Sequence, residues 1–165
     1  MHEAKILSGK STALSVYDEL NERIVLLDNK GIRPGLCVVL IGDEPASQIY
    51  VRTKTKKLKS LGLLSETVIL SKAVSEKKVI KIINDLNNDT QYHGILVQLP
   101  LPNHINSQNI INAINPEKDV DGFHPKNAGW LAIGKPRFIP CTPKGIMKIL
   151  DYYDIDLSGK NIVVI

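Results

Sequence analysis

Three short apolar runs, Leu36-Cys-Val-Val-Leu-Ile41, Glu66 to Leu70 and Gly94-Ile-Leu-Val-Gln-Leu99, alternate with longer segments of helical periodicity. The first run has no polar residue, so it reads as a strand covered on both faces. Strands of this kind separated by helices predict an α/β fold with an open, mainly parallel sheet flanked by helices. The helical segments follow the same logic. Ser11 to Leu27 carries Leu14, Tyr17, Leu20, Ile24 and Leu27 at spacings of three and four, which makes one helical face. Gly31 is placed to cap it, and Pro34-Gly35 turns the chain. Gly42 and Asp43 close the first strand, Pro45 suits the first turn of a helix running to about Leu61, and Gly62 stops it. Ser75 suits the cap of a helix to Asn87 that turns Val79, Ile82, Ile83 and Leu86 inward.

Pro100-Leu-Pro102 ends the third strand, because proline continues neither ladder nor helix. Ile105 to Ile114 is predicted helical. Asn115 to Pro143 is a polar, Gly- and Pro-marked stretch too long for an ordinary connection. Lys144 to Tyr153 is helical again, with Thr142 as its cap and Pro143 at its first position. Ser158-Gly-Lys-Asn-Ile-Val-Val-Ile165 reads as the opening of a further α/β unit, with a strand from Asn161 to Ile165. The expected organisation is a domain over residues 1–154, followed by a linker and first strand over 155–165.

Composition narrows the function classes. At 43% hydrophobic residues, a chain of 165 is too apolar to be disordered and long enough to bury a core unaided. No apolar run approaches the ~20 residues of a spanning helix. Met1 to Lys10 lacks the apolar block of a secretory signal, so a soluble, cytoplasmic protein without membrane attachment is expected. A net charge of +4 mildly favours anionic ligands without establishing nucleic-acid binding. Cys37 and Cys141 form neither a metal-ligand nor a redox spacing. The four histidines, His2, His93, His104 and His124, include no close pair on a helix, so no metal is expected.

Chemistry can sit where strands end. Gly42-Asp-Glu-Pro-Ala-Ser-Gln-Ile-Tyr50-Val-Arg-Thr-Lys54 follows a buried strand and opens a helix, at the sheet edge where open α/β folds bind ligands. Tyr50 and Lys54 are four apart and share a helical face. A lysine desolvated beside an aromatic ring loses proton affinity and can act as acid or base near neutrality. The same spacing also suits a surface Tyr–Lys pair. Arg52, Lys54, Lys56, Lys57 and Lys59 form a basic run, read as a solvated helix face, with an RNA contact or a landing site for a polyanionic tail as alternatives. Gln98 closes an otherwise apolar strand and needs a partner, either a neighbouring loop or Lys54 across the sheet edge. In Lys118-Asp-Val-Asp121-Gly122 the two aspartates are too few for a calcium loop. Asp121 is either part of an Asx-turn or a carboxylate accepting two hydrogen bonds from an amidine-like edge.

Four motifs in order carry a resemblance: Gly42 to Lys54, Gln98-Leu-Pro-Leu-Pro102, Lys118-Asp-Val-Asp-Gly122 and Pro140-Cys-Thr-Pro-Lys-Gly145. Together they resemble the bifunctional methylenetetrahydrofolate dehydrogenase/cyclohydrolase family of the bacterial FolD type, from about Leu7 to Ile165. Asn127-Ala-Gly-Trp-Leu-Ala-Ile-Gly134 fits too, except that Trp130 stands where the family often has a basic residue.

The resemblance implies a folate cleft between two domains. It implies NADP-dependent oxidation of 5,10-methylenetetrahydrofolate to the methenyl form, then hydrolysis to 10-formyltetrahydrofolate. By resemblance Lys54 is the catalytic lysine and Gln98 the glutamine that tunes it. Tyr50 packs on the folate ring system, Asp121 anchors the pterin's amino edge, and Leu99 and Pro100 belong to the substrate wall. The NADP-binding residues would lie beyond Ile165, so no cofactor-binding residue is assigned within the chain. The implied partners are a folate and a second copy in a homodimer, with no nucleic acid. Three other readings stay open: a folate-binding fragment without turnover, a nucleic-acid module using the basic helix, and a dimerisation domain.

Overall fold

The computed structural model describes residues 5–164. The element order is α1 (Gly9–Asp28), β1 (Gly35–Ile41), α2 (Pro45–Ser60), β2 (Leu64–Leu70), α3 (Glu76–Asn88), β3 (Gly94–Val97), α4 (Ser107–Ala113), α5 (Pro125–Ala132) and α6 (Cys141–Tyr152). The expected α/β architecture is present as a parallel three-stranded sheet in the order β2-β1-β3. The register runs Gly35 to Leu64 and Ile41 to Leu70 on one side of β1, and Leu36 to Gly94 and Val39 to Val97 on the other.

β1 is central, and its side chains alternate between two apolar layers. Cys37, Val39 and Ile41 meet Val79, Ile83 and Leu86 of α3 and Ile110 of α4. Val38 and Leu40 meet Val51 of α2 and Leu96 of β3. The all-apolar run is therefore covered on both faces, as its composition requires. Three of the four inward positions read for α3 are buried, and Ile82 packs at their margin. The Ser75 hydroxyl caps α3 by accepting from the Lys78 N–H.

Several boundaries differ from expectation. β3 ends at Val97 rather than Leu99, although the Gln98 N–H still bonds Val39 O at 2.9 Å. α4 is shorter than Ile105–Ile114 because Asn106 caps it, accepting from the N–H groups of Gln108 and Asn109. α6 starts at Cys141 with Pro140 at the cap position, so Thr142 lies inside the first turn and makes no cap. Residues 161–164 form no strand, since no neighbouring strand pairs with them; Ile165 of that expected strand lies outside the described residues. The same is true of His2 and the first residues of Met1–Lys10.

α1 forms where the spacing predicts a helix. It packs on α6, and Leu14 of its apolar face is 58% exposed. Only Thr12 of α1 is buried. The spacing of apolar residues specifies the helix, but periodicity does not say which neighbour a helix will find.

Candidate functional site

The carboxyl ends of β1 and β3 and the start of α2 form one cleft. Gly42 makes the turn out of β1 with φ +89°, a conformation that side chains rarely adopt. Pro45 then sits at the start of α2, where its missing N–H costs nothing. α2 thereby leaves the sheet edge at once and presents Ser47, Tyr50 and Lys54 at helical spacings of three and four. Ser47 and Tyr50 line one side of a cavity of about 690 Å³; Gln98, Leu99 and Pro100 line the other.

Lys54 joins this cleft through Gln98. Its Nζ donates to Gln98 Oε1 at 3.3 Å and stands 5.2 Å from the centre of the Tyr50 ring. The amide of Gln98 is oriented by its other end, because Nε2 donates to Leu99 O at 2.8 Å. A reversed amide would lose both bonds, so a backbone carbonyl decides that an oxygen faces the amine. Lys54 is half-buried, whereas the Tyr50 ring is 64% exposed and offers a face to the cleft. The Lys54 amine is thus withdrawn from solvent only in part.

Asp121 lines a separate, small cavity of about 10 Å³ beside the larger one, with Asp119, Leu99 and Phe123 in its wall. Leu99 borders both cavities. Burial pushes the Asp121 carboxyl above its ordinary value; the Lys54 ammonium opposes this and the Asp119 carboxylate adds to it. Lys54 and Asp121 are therefore near enough to act on one another. The structure brings Tyr50, Lys54, Gln98, Leu99, Pro100 and Asp121 to one edge of the sheet.

The basic run does not form a single face. Lys54 turns to Gln98, Lys57 places its Nζ 3.4 Å from the centre of the Tyr17 ring of α1, and Arg52, Lys56 and Lys59 stay exposed on the β2 side. Among the described residues no group of three or more His, Cys, Asp or Glu could hold a metal, and no helix is long and apolar enough to cross a membrane.

Sequence reasoning missed Ser47, Lys72 and His104 in the cavity wall. Ser47 shares the helical spacing of Tyr50 and Lys54 and was legible from it. It also missed α5 and the buried side chains of Asp119 and Asn127, which sit within the stretch read as a long loop.

A family model described as tetrahydrofolate dehydrogenase/cyclohydrolase, catalytic domain, matches residues 7–121. The bifunctional protein FolD of Streptococcus thermophilus is 50% identical over 163 residues, covering 98% of this chain and 57% of that protein. The Enterococcus faecalis counterpart is 48% identical over 160 residues, 97% of this chain and 57% of its own length. The chain thus spans little more than half the length of these relatives. Among solved structures, the FolD methylenetetrahydrofolate dehydrogenase/cyclohydrolase of Campylobacter jejuni superposes with TM-score 0.89 at 45% identity, covering 93% of this chain and 55% of that one. The Trypanosoma brucei enzyme, solved with NADP cofactor and inhibitor, superposes with TM-score 0.92 at 36% identity, covering 97% and 55%.

Proposed function

Because the chain belongs to the tetrahydrofolate dehydrogenase/cyclohydrolase family, we propose that it supplies the folate side of that family's two-step one-carbon chemistry. The substrate is 5,10-methylenetetrahydrofolate, oxidised to the 5,10-methenyl cation, which water then opens to 10-formyltetrahydrofolate. The observation that carries this reading is the Lys54–Gln98 hydrogen bond beside the Tyr50 ring, at the mouth of a cavity of about 690 Å³. Residues 1–154 are the catalytic unit in this reading, acting in a cytoplasmic homodimer.

NADP is the hydride acceptor of the first step. The turn after β1 does not fit it. The turn after β1, where an α/β sheet would hold a pyrophosphate, carries Asp43 and Glu44 instead of further glycines, and two carboxylates repel phosphate. The dinucleotide is therefore not assigned to this turn, and this cleft is assigned the folate alone.

In the hydrolytic step water adds to the methenyl carbon, one carbon–nitrogen bond breaks, and a proton leaves. Lys54 accepts the proton of the attacking water and returns one to the departing ring nitrogen. Gln98, fixed by Leu99 O, holds the Lys54 Nζ in reach of both. Tyr50 stacks on the folate rings, and Leu99 and Pro100 form the opposing wall. Asp121 takes two hydrogen bonds from the pterin's amino edge.

Lys54→Met in the full-length protein tests the assignment. Hydrolysis of methenyltetrahydrofolate, followed by its absorbance, is expected to fall by at least about 100-fold, the usual scale for a lost acid/base group. Full retention of hydrolytic activity overturns it.

A further inference from the structure

Two buried polar side chains lie beside the cleft, and their hydrogen bonds go to none of the residues assigned to the reaction. Asp119 is 2% exposed and Asn127 is fully buried. One carboxylate oxygen of Asp119, Oδ2, accepts from the His124 N–H at 2.8 Å and from Asn127 Nδ2 at 2.8 Å. Asn127 Nδ2 donates a second bond to Pro116 O at 2.9 Å. The Asn127 Oδ1 is buried with no partner.

Stability does not explain this arrangement. An unpaired buried acceptor costs about 1–3 kcal/mol, and a buried carboxylate costs more unless its bonds are well made. The bonds do something else: they tie the segment around Asp121 at both ends. Before Asp121, the chain is fastened to β3, where Ile95 N–H bonds Lys118 O at 2.8 Å and Asp119 bridges to Ile95. After Asp121, His124 and Asn127 of the first turn of α5 are drawn onto the Asp119 carboxylate. Gly122, with φ +70°, closes the turn between them, and its N–H reaches Asp119 O at 3.2 Å.

We infer that Asp119 and Asn127 are positioning residues for Asp121, clamping the turn that carries it so that its carboxylate is held in the wall it shares with Leu99 at the edge of the cleft. The inference rests on the folate reading above, which makes Asp121 a ligand contact. It has an electrostatic corollary. Asp119 and Asp121 share the wall of one small cavity whose other walls include Ile95, Val97, Ile110 and Phe123. In such surroundings a neighbouring charge acts strongly. The charged groups acting on Asp121 are Lys54 from α2 and Asp119 from its own loop, and Asp119 favours its protonated form. Removing the Asp119 charge therefore lets Asp121 stay ionised to lower pH.

Equilibrium binding of 5-formyltetrahydrofolate, a stable reduced folate, by the full chain between about pH 4 and pH 9 tests the clamp. Asp119→Asn is expected to weaken binding about tenfold at neutral pH through misplacement of Asp121, and to move the acid limb of the binding profile to lower pH. Asn127→Ala, which keeps the Asp119 charge, is expected to weaken binding about tenfold with the acid limb in place. A purely structural role would lower the melting temperature of both variants and leave the affinity of the folded protein where it was, which overturns the clamp. Affinity within about twofold of the parent in both variants, while Asp121→Asn loses binding, overturns the clamp alone. Unchanged binding in Asp121→Asn overturns the clamp together with the pterin assignment. Should Asp119→Asn fail to fold, the affinity of Asn127→Ala decides.

Discussion

Every residue of β1 except Leu36 is buried, whereas α6 buries none. Yet α6 carries Ile146, Met147, Ile149, Leu150 and Tyr152, an apolar supply comparable to that of the strand. The difference lies in what stands opposite. β1 has a strand on each side and helices on both faces. α6 has α1, itself largely exposed. Burial is thus a property of the pairing rather than of the segment. The molecule divides into a tightly packed sheet with α2, α3 and α4, and an outer layer of α1 and α6. All the candidate site residues stand on the packed part, where position can be held to fractions of an ångström.

The two cysteines probe the contrast most sharply, because each region has one. Burial, with Glu66 and Asp89 nearby, pushes the Cys37 thiol in β1 up to about 11; Cys141 at the start of α6 is exposed. Since the thiolate is the reactive form, a thiol reagent at about pH 8 should modify Cys141 of the native protein at least about 100-fold faster than Cys37. In denaturant the two should react alike. Equal native rates would break the division.

Core substitutions sharpen it in energy. Ile83 is fully buried between α3 and the sheet, so Ile83→Ala should cost about 3 kcal/mol in urea unfolding. Ile146 of α6 is 54% exposed, and Ile146→Ala should cost less than about 0.5 kcal/mol. A comparable loss from both would mean that the outer layer is as well covered as the core.

The smallest effect belongs to the boundary between packing and function. Asp121 has its carboxyl raised by burial, so ionisation at neutral pH works against folding. That penalty is present above the folded-state value and fades as pH falls toward the unfolded value near about 4. Asp121→Asn should therefore raise the melting temperature by about 2 °C at neutral pH and leave it unchanged below about pH 4. A stability loss at neutral pH would place Asp121 with the structural residues rather than the ligand-facing ones.

The packed region is also where the residues could be read in advance. An unbroken apolar strand admits only a covered position, and the interval between Tyr50 and Lys54 admits only one helical face. Gln98 was conspicuous as the one amide in an apolar run. α5 was not legible, because eight residues capped by His124 and Pro125 leave too little periodicity in a polar stretch. The two aspartates of Lys118–Gly122 could not be ranked for burial from spacing. Only the bridge of Asp119 to Ile95 decides which one turns inward. The spacing marks α1 as helical but does not say what covers it, for the reason that separates β1 from α6.

The lysine over the Tyr17 ring has a consequence for the helix it stands on. Positions 54 and 57 point in different directions from α2, one amine to the sheet edge and the other onto α1. Any roll of α2 about its axis that freed the first would drag the second off its ring. The loosely covered outer layer, which contributes no group to the cleft, thereby helps fix the angle at which the Lys54 amine is presented.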